Sequence, residues 1–141
     1  MTGWLGVVSH AHVQRGVAGG FAQVCHGKVA PLKRMRPGDW LIYYSPAIEM
    51  GGEALRTFTA IGEVVDDDVF QYDMGGGFVP FRRRVRYVAA HEIPLASLKD
   101  QLDLCALPNW GMALRRGLLK LSGRDFATIA GAMGVTLSVA A

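Results

Sequence analysis

From residue 20 to residue 28 the chain reads Gly20-Phe21-Ala22-Gln23-Val24-Cys25-His26-Gly27-Lys28. An aromatic ring, a carboxamide, a thiol, an imidazole and an ammonium are gathered in one short stretch. Such groups can stack on a flat ligand, read a hydrogen-bonding edge, hold an anion, bind a metal or attack an electrophile. The stretch is too polar and glycine-flanked for a core strand. It is too short and unevenly patterned for an amphipathic helix. Two readings stand: one wall of a small-molecule-sized site, or a loop pinned to a core.

Metal and nucleophile chemistry fit the pattern poorly. His10, His12, Cys25 and His26 could gather, but H-x-H with a distant Cys-His is not a recognised zinc spacing, and there is no C-x-x-C. No metal and no cofactor are expected. Cys25 and His26 are sequence neighbours, so their side chains diverge and the imidazole is badly placed to activate the thiol. There is no nucleophile elbow and no paired carboxylate. A binding site is therefore expected, with no catalytic residue.

The elements that must position these groups follow from composition and pattern. The chain has 141 residues, half of them hydrophobic, which suits one domain spanning 1–141 with a real core. Two cysteines make no disulfide framework, the opening residues lack the basic and apolar regions expected of a signal peptide, and no apolar run reaches the roughly 18 residues of a membrane span. A cytoplasmic protein with no membrane partner is expected. The net charge of +3 is modest but unevenly spread. Basic residues cluster at Lys28, Lys33, Arg34 and Arg36 and again at Arg82, Arg83, Arg84 and Arg86, against an acidic block at Asp66, Asp67 and Asp68. Such patches suit nucleic acid without requiring it.

Residues 4–9 read as a buried strand, and Ser9 as the N-cap of a two-turn helix that sends Val13 and Val17 to the core. Gly19-Gly20 ends that helix. Residues 31–35 suit a single helical turn. Pro37-Gly38-Asp39 is a turn with proline at its second position and glycine at its third. It leads into an aromatic strand, 40–45, stopped by Pro46. A loop over 47–56 precedes a strand at 57–65, in which Phe58, Ala60, Gly62 and Val64 share a face. Residues 66–80, with Gly75-Gly76-Gly77, read as a long mobile connection near a site. In a strand at 81–90, Arg82, Arg84 and Arg86 occupy a solvent face. Phe81, Val85 and Tyr87 occupy the core face, with Arg83 the odd member. Short helices at 95–98 and 110–116, a strand at 118–121 and a capped helix from Ser122 with Asp125 at its third position complete the chain. The result is an α+β domain around a curled, nearly closed sheet.

Several of these pieces together carry a resemblance. Trp4-Leu-Gly-Val-Val-Ser9 is followed by Gly20-Phe21-x-Gln23-x-x-His26-Gly27-Lys28 and Pro31-Leu32-x-Arg34-Met35-x-Pro37-Gly38-Asp39. Tyr43-Tyr44-Ser45-Pro46 and Phe58-Thr-Ala-Ile-Gly62-x-Val64 come next, then Phe81-Arg82-Arg83-Arg84-Val85, Trp110-Gly111-x-x-x-Arg115-x-Gly117 and Ser122-x-x-Asp125-Phe126-x-x-Ile129. In order and spacing the chain resembles the EVE domain family. The resemblance implies an α+β, PUA-like pseudo-barrel of about five to six mixed strands with small peripheral helices. It also implies kinship with YTH domains, which read N6-methyladenine in an aromatic cage.

What the resemblance implies for function is a non-catalytic reader of a modified nucleobase in DNA or RNA, with restriction or RNA-modification proteins as further partners. A flipped base needs a flat slot, edge partners and a cation for its phosphate. Phe21 and Tyr43 offer rings; Ser9, His10, Gln23, His26 and Ser45, next to Pro46, offer polar partners; Lys28, Arg82, Arg84 and Arg86 offer phosphate contacts. Phe70, Tyr72 and Phe78 supply further rings in the 66–80 segment. Each has a plainer reading: Ser9 as helix cap, His26 as a tie to its own loop, Tyr43 as core, the arginines as a solvated face. Two other functions stay open, an enzyme such as a hydrolase acting on nucleotides in the same pocket, and a protein-interaction domain.

Overall fold

The computed structural model describes residues 1–137. Its frame is a mixed sheet: β1 (Gly3–Val7), β2 (Phe21–Ala22), β3 (Trp40–Ala47), β4 (Ala54–Gln71), β5 (Phe81–Tyr87), β6 (Ile93–Pro94) and β7 (Leu118–Lys120). The strands run in the order β2-β5-β4-β3-β1-β7, with β6 on the margin of β4. β1 and β3 are parallel; every other pair is antiparallel. This is the expected α+β pseudo-barrel with an open sheet. Seven strands stand where five to six were expected, because β2 and β6, of two residues each, are too short to leave a periodic signal.

Helix α1 (His10–Gly19) joins β1 to β2, and α2 (Val29–Arg34) precedes β3. A short α3 (Trp110–Ala113) and α4 (Gly123–Ala132) flank β7. Among the described residues no helix is long and apolar enough to cross a membrane.

Both faces of the sheet are buried, which explains the unbroken Leu41-Ile42-Tyr43-Tyr44 run. Trp4, Leu41, Tyr43 and Val85 turn inward with Leu32 and Met35 near α2, while Leu5, Ile42, Tyr44 and Phe58 pack against Phe126, Ile129 and Met133 near α4. Expected alternation fails within β4. The register slips between Tyr43↔Ala60 and Tyr44↔Phe58. A bulge changes which face a residue meets, so Phe58 joins Ile61 on the α4 side, opposite Ala60 and Val64.

Several boundaries move. Ser9 does cap α1, accepting the His12 N–H, and Gly20 ends it at φ 71°. Val17, however, is exposed, and Gly16 is the buried residue on that side, abutting the Phe21 carbonyl. Pro46 does not stop β3, which runs to Ala47. The long connection at 66–80 is strand as far as Gln71. The acidic triplet sits in a second slip of register, between Val64↔Val85 and Val69↔Arg83. What remains is a short hairpin closed by Tyr72 N–H to Pro80 O (3.1 Å) and Met74 N–H to Phe78 O (2.9 Å). Ser122 caps α4 as expected, but the Asp125 carboxylate does not reach back to it. It accepts instead from the backbone N–H groups of Asp103 (2.7 Å) and Leu104 (2.8 Å).

That second slip explains Arg83. It turns the Asp66 carbonyl inward, where the Arg83 guanidinium, 1% exposed, donates to it (2.7 Å). The same group donates to the carbonyls of Leu32 (2.7 Å) and Met35 at the C-terminal end of α2. Helix-end carbonyls lack partners within the helix, so one buried cation ties α2 to β4 and β5. Arg83→Met is expected to cost at least about 2 kcal/mol, since it strands several buried carbonyls. Arg86→Met, which loses only an exposed pair with Glu63, is expected to stay within about 1 kcal/mol. Urea-unfolding midpoints check both.

Candidate functional site at the sheet seam

The sheet ends at β2 on one side and β7 on the other, and the two do not pair. The turn Cys25–Gly27 that follows β2 bridges the gap. The Cys25 thiol lies 3.2 Å from the Arg116 carbonyl, beside Gly117, where a Cβ would come within 2.6 Å of the sulfur. On its other flank Gly27 packs so closely on Pro80 that a Cβ would meet it at 2.4 Å. Cys25 (φ 52°), His26 (φ 60°) and Gly27 (φ 80°) are all left-handed. For residues carrying a Cβ this conformation costs about 1–2 kcal/mol each.

Beside this bridge lies a cavity of about 790 Å³. Ser9, His12 and Arg15 come to its wall from the start of α1, spaced three residues apart and so on one helical face. Gln23, His26 and Lys28 come from the bridge, Arg115 and Arg116 from the turn before β7, and Met74 and Phe78 from the β4–β5 hairpin. Among the described residues no carboxylate lines it. Among the described residues, none of Arg15, Lys28, Arg115 and Arg116 takes part in an ion pair.

Of the expected site residues, Ser9, Gln23, His26 and Lys28 meet in this cavity. Phe21 lies outside it, its ring covered by the Arg82 guanidinium at 3.7 Å. Tyr43 stands behind the wall, its hydroxyl accepting the Gln23 N–H at 3.3 Å; burial pushes its phenol up to about 12. Tyr87 stacks on Tyr43 and donates to the Phe21 carbonyl (2.8 Å), so two phenols hold β2 in place. Ser45 is buried against Thr59 (2.8 Å), and Pro46 is exposed on β3, away from the cavity. His10 pairs with Glu92 (2.9 Å) over a separate groove of about 290 Å³.

The arginine stripe is absorbed by the fold. Arg82 is buried between the rings of Phe21 and Tyr72 and donates to Gln23 Oε1 at 3.0 Å. Arg84 pairs with Asp66 (3.3 Å) and Asp68 (3.6 Å) beneath Phe70, and Arg86 pairs with Glu63. Phe78 is the one expected cage ring that lines the cavity.

Two titratable groups shape the chemistry. Burial raises the Cys25 thiol, outweighing the fields of Arg34 and Lys28, so it stays protonated and is a poor nucleophile. Burial also lowers His12, helped by Arg15 and Arg82 and opposed by its bond to the Gln23 carbonyl. That bond, 2.8 Å from Nε2 to an atom that only accepts, fixes the neutral Nε2–H tautomer. Sequence reasoning weighed His12 only as a metal ligand and passed over Arg15, Arg115, Arg116 and Met74. The Ser9-x-x-His12-x-x-Arg15 spacing was a legible signal for the first two.

The His12 shift has a consequence for stability. The unfolded imidazole takes its proton near 6.5 and the folded one only at lower pH. The stability of the native state is therefore full above 6.5 and falls as pH drops from 6.5 toward the folded value. Imidazole NMR titration should place the His12 midpoint below 6.5. His12→Gln, which can still donate to the Gln23 carbonyl, should lose this part of the pH dependence in urea unfolding.

Comparison with known proteins accords with this architecture. The EVE domain family model matches residues 2–132. UPF0310 protein YdcG of Bacillus subtilis is 47% identical over 137 residues, covering 96% of this chain and 94% of that protein. UPF0310 protein msl3206 of Mesorhizobium japonicum is 48% identical over 141 residues, covering 97% and 95%. Among solved structures, a hypothetical protein from Leishmania major shares the fold with TM-score 0.60 at 14% identity, covering 95% of each chain. Protein Atu2648 from Agrobacterium tumefaciens does so with TM-score 0.58 at 10% identity, covering 96% and 94%. With a family match across nearly its whole length and relatives near half identity, the chain belongs to the EVE domain family.

Proposed function

We propose that this protein is a non-catalytic nucleic-acid-binding domain that receives a single extruded nucleobase, in modified form, in the seam cavity. The observation that carries this reading is the charge pattern of the wall: among the described residues, four cations outside any ion pair, two imidazoles and no carboxylate surround about 790 Å³. That volume lies within the roughly 300–1,000 Å³ typical of small-molecule sites. A cationic wall free of acids favours an anionic ligand, and a nucleotide of a polymer brings one phosphate on each side of its base. Phe78 and Met74 provide an apolar surface for a flat ring or for a substituent on it. Gln23 and Ser9 provide polar contacts for its edge.

Binding is favoured over turnover because burial holds the cavity thiol protonated and, among the described residues, no acid–base carboxylate faces it. DNA or RNA is thus the proposed partner, met through Arg15, Lys28, Arg115 and Arg116 and not through the arginines of β5.

Fluorescence anisotropy with single-stranded oligonucleotides, each with and without one modified base, tests this. Affinity is expected to fall as salt rises, with a slope of about 0.7 per phosphate contact. Arg115→Glu with Arg116→Glu should weaken modified and unmodified strands alike, by tenfold or more, on the order of two lost charged contacts. Arg84→Glu should change little. Salt-independent binding, or none, would defeat the nucleic-acid reading. Equal affinity for every modified strand and its unmodified control would defeat the modified-base reading.

A further inference from the structure

Gln23 is held more firmly than any other polar residue of the cavity wall. It is 4% exposed, its N–H donates to the Tyr43 hydroxyl (3.3 Å), and its carbonyl accepts from His12 (2.8 Å). Its backbone is therefore fixed from both β3 and α1. Its side chain is fixed by Arg82, whose Nε lies 3.0 Å from Oε1. A guanidinium has donors only, so the amide oxygen must face it, and a flipped amide would set donor against donor. Arg82 cannot easily swing away. It is 8% exposed and lies between the rings of Phe21 (3.7 Å) and Tyr72 (4.1 Å).

With Oε1 assigned to Arg82, the amide nitrogen faces the other way. Its contact among the described residues is the Met74 sulfur at 4.0 Å, a weak acceptor carried on the hairpin that lines the cavity. A nearly buried amide donor thus meets the cavity wall with one poor partner and a second proton unpaired among the described residues. A ligand atom that satisfies it must accept a hydrogen bond; a ligand amino group there would meet a like donor, and a buried unmatched pair is costly.

We propose that Gln23, oriented by Arg82, is the specificity-determining residue of the cavity, and that it selects bases with an oxo group where cytosine and adenine carry an amino group. The ligand class is uracil-, thymine-, guanine- or hypoxanthine-type. Arg82 acts only through Gln23 and is a positioning residue. The inference rests on the nucleobase reading of the same cavity.

The test is an NMR titration with two nucleotide pairs: uridine against cytidine 5′-monophosphate, and inosine against adenosine 5′-monophosphate. The wild-type protein is expected to bind the oxo member on the order of tenfold more tightly in each pair. Gln23→Glu is nearly isosteric, keeps an acceptor for Arg82 and presents only acceptors, so the preference should invert. Arg82→Lys still offers only donors to Oε1 and should keep the preference. Arg82→Met frees the amide to turn, and the ratio should fall to about one while both members still bind. Equal binding of both members by wild type, or an oxo preference that survives in Gln23→Glu, overturns the role of Gln23 and leaves the nucleobase reading standing. Failure of all four nucleotides to shift cavity resonances would overturn this inference, while the nucleobase reading is decided separately by the modified and unmodified oligonucleotides.

Discussion

Everything distinctive in this molecule depends on a sheet that does not close. Its terminal strands, β2 and β7, are two and three residues long and never pair. Unpaired sheet edges inside a protein leave backbone groups to be satisfied by other means. Here the Arg116 carbonyl receives the Cys25 thiol. The chain reaches across only by taking three successive left-handed residues, two of them not glycine. Backbone strain of this kind persists where packing on every side imposes it. Gly117 and Pro80 pack on it from two sides here: a Cβ at Gly117 would lie 2.6 Å from the Cys25 sulfur, and one at Gly27 would lie 2.4 Å from Pro80. The cavity is the space this imperfect closure leaves.

Arginine serves two separate purposes in the fold. Arg83 replaces hydrogen bonds that α2 and the slipped segment of β4 cannot make for themselves. Arg82 is a buried strut between two rings, and Arg84 and Arg86 neutralise acids on β4. These four are consecutive or alternate in sequence, and all are engaged within the protein. The cations of the cavity wall are scattered in sequence, at 15, 28, 115 and 116, and the fold brings them together. A basic run in a strand thus records local structure, while the charge of the cavity wall is assembled by topology.

That difference explains what could be read from the sequence. Ser9 as helix cap, the Pro37-Gly38 turn and the inward set of β5 all depend on neighbours within a few residues. Gly38 takes φ 87° and Asp39 donates back to the Arg36 carbonyl, as that turn requires. The Asp66-Asp67-Asp68 run misled, because aspartate is depleted in strands, and only the long-range pull of Arg83 on the Asp66 carbonyl makes the slip in β4 intelligible. Phe21 misled for the same reason: its ring is free in the sequence and covered by Arg82 in the fold. Gln23, His26 and Lys28 were legible as wall residues because the bridge carries them together. Arg115 and Arg116 were not, since nothing local ties residue 116 to residue 25.

Gln23 and Arg82 lie at one end of an interior otherwise filled by Trp4, Val24, Leu41, Val85 and Leu118. Burying a carboxamide and a guanidinium there is unfavourable unless both are hydrogen-bonded, and an apolar pair of similar volume would avoid the problem. The chain instead stacks the guanidinium between two aromatic rings and commits two phenols and an imidazole to the backbone of Phe21 and Gln23 beside it. The stacked guanidinium, bonded to Oε1, fixes the direction in which one amide faces. Strain in the bridge and buried polarity beside it fall on the same cavity, and both make sense if the geometry of that wall, more than its stability, is what the fold maintains.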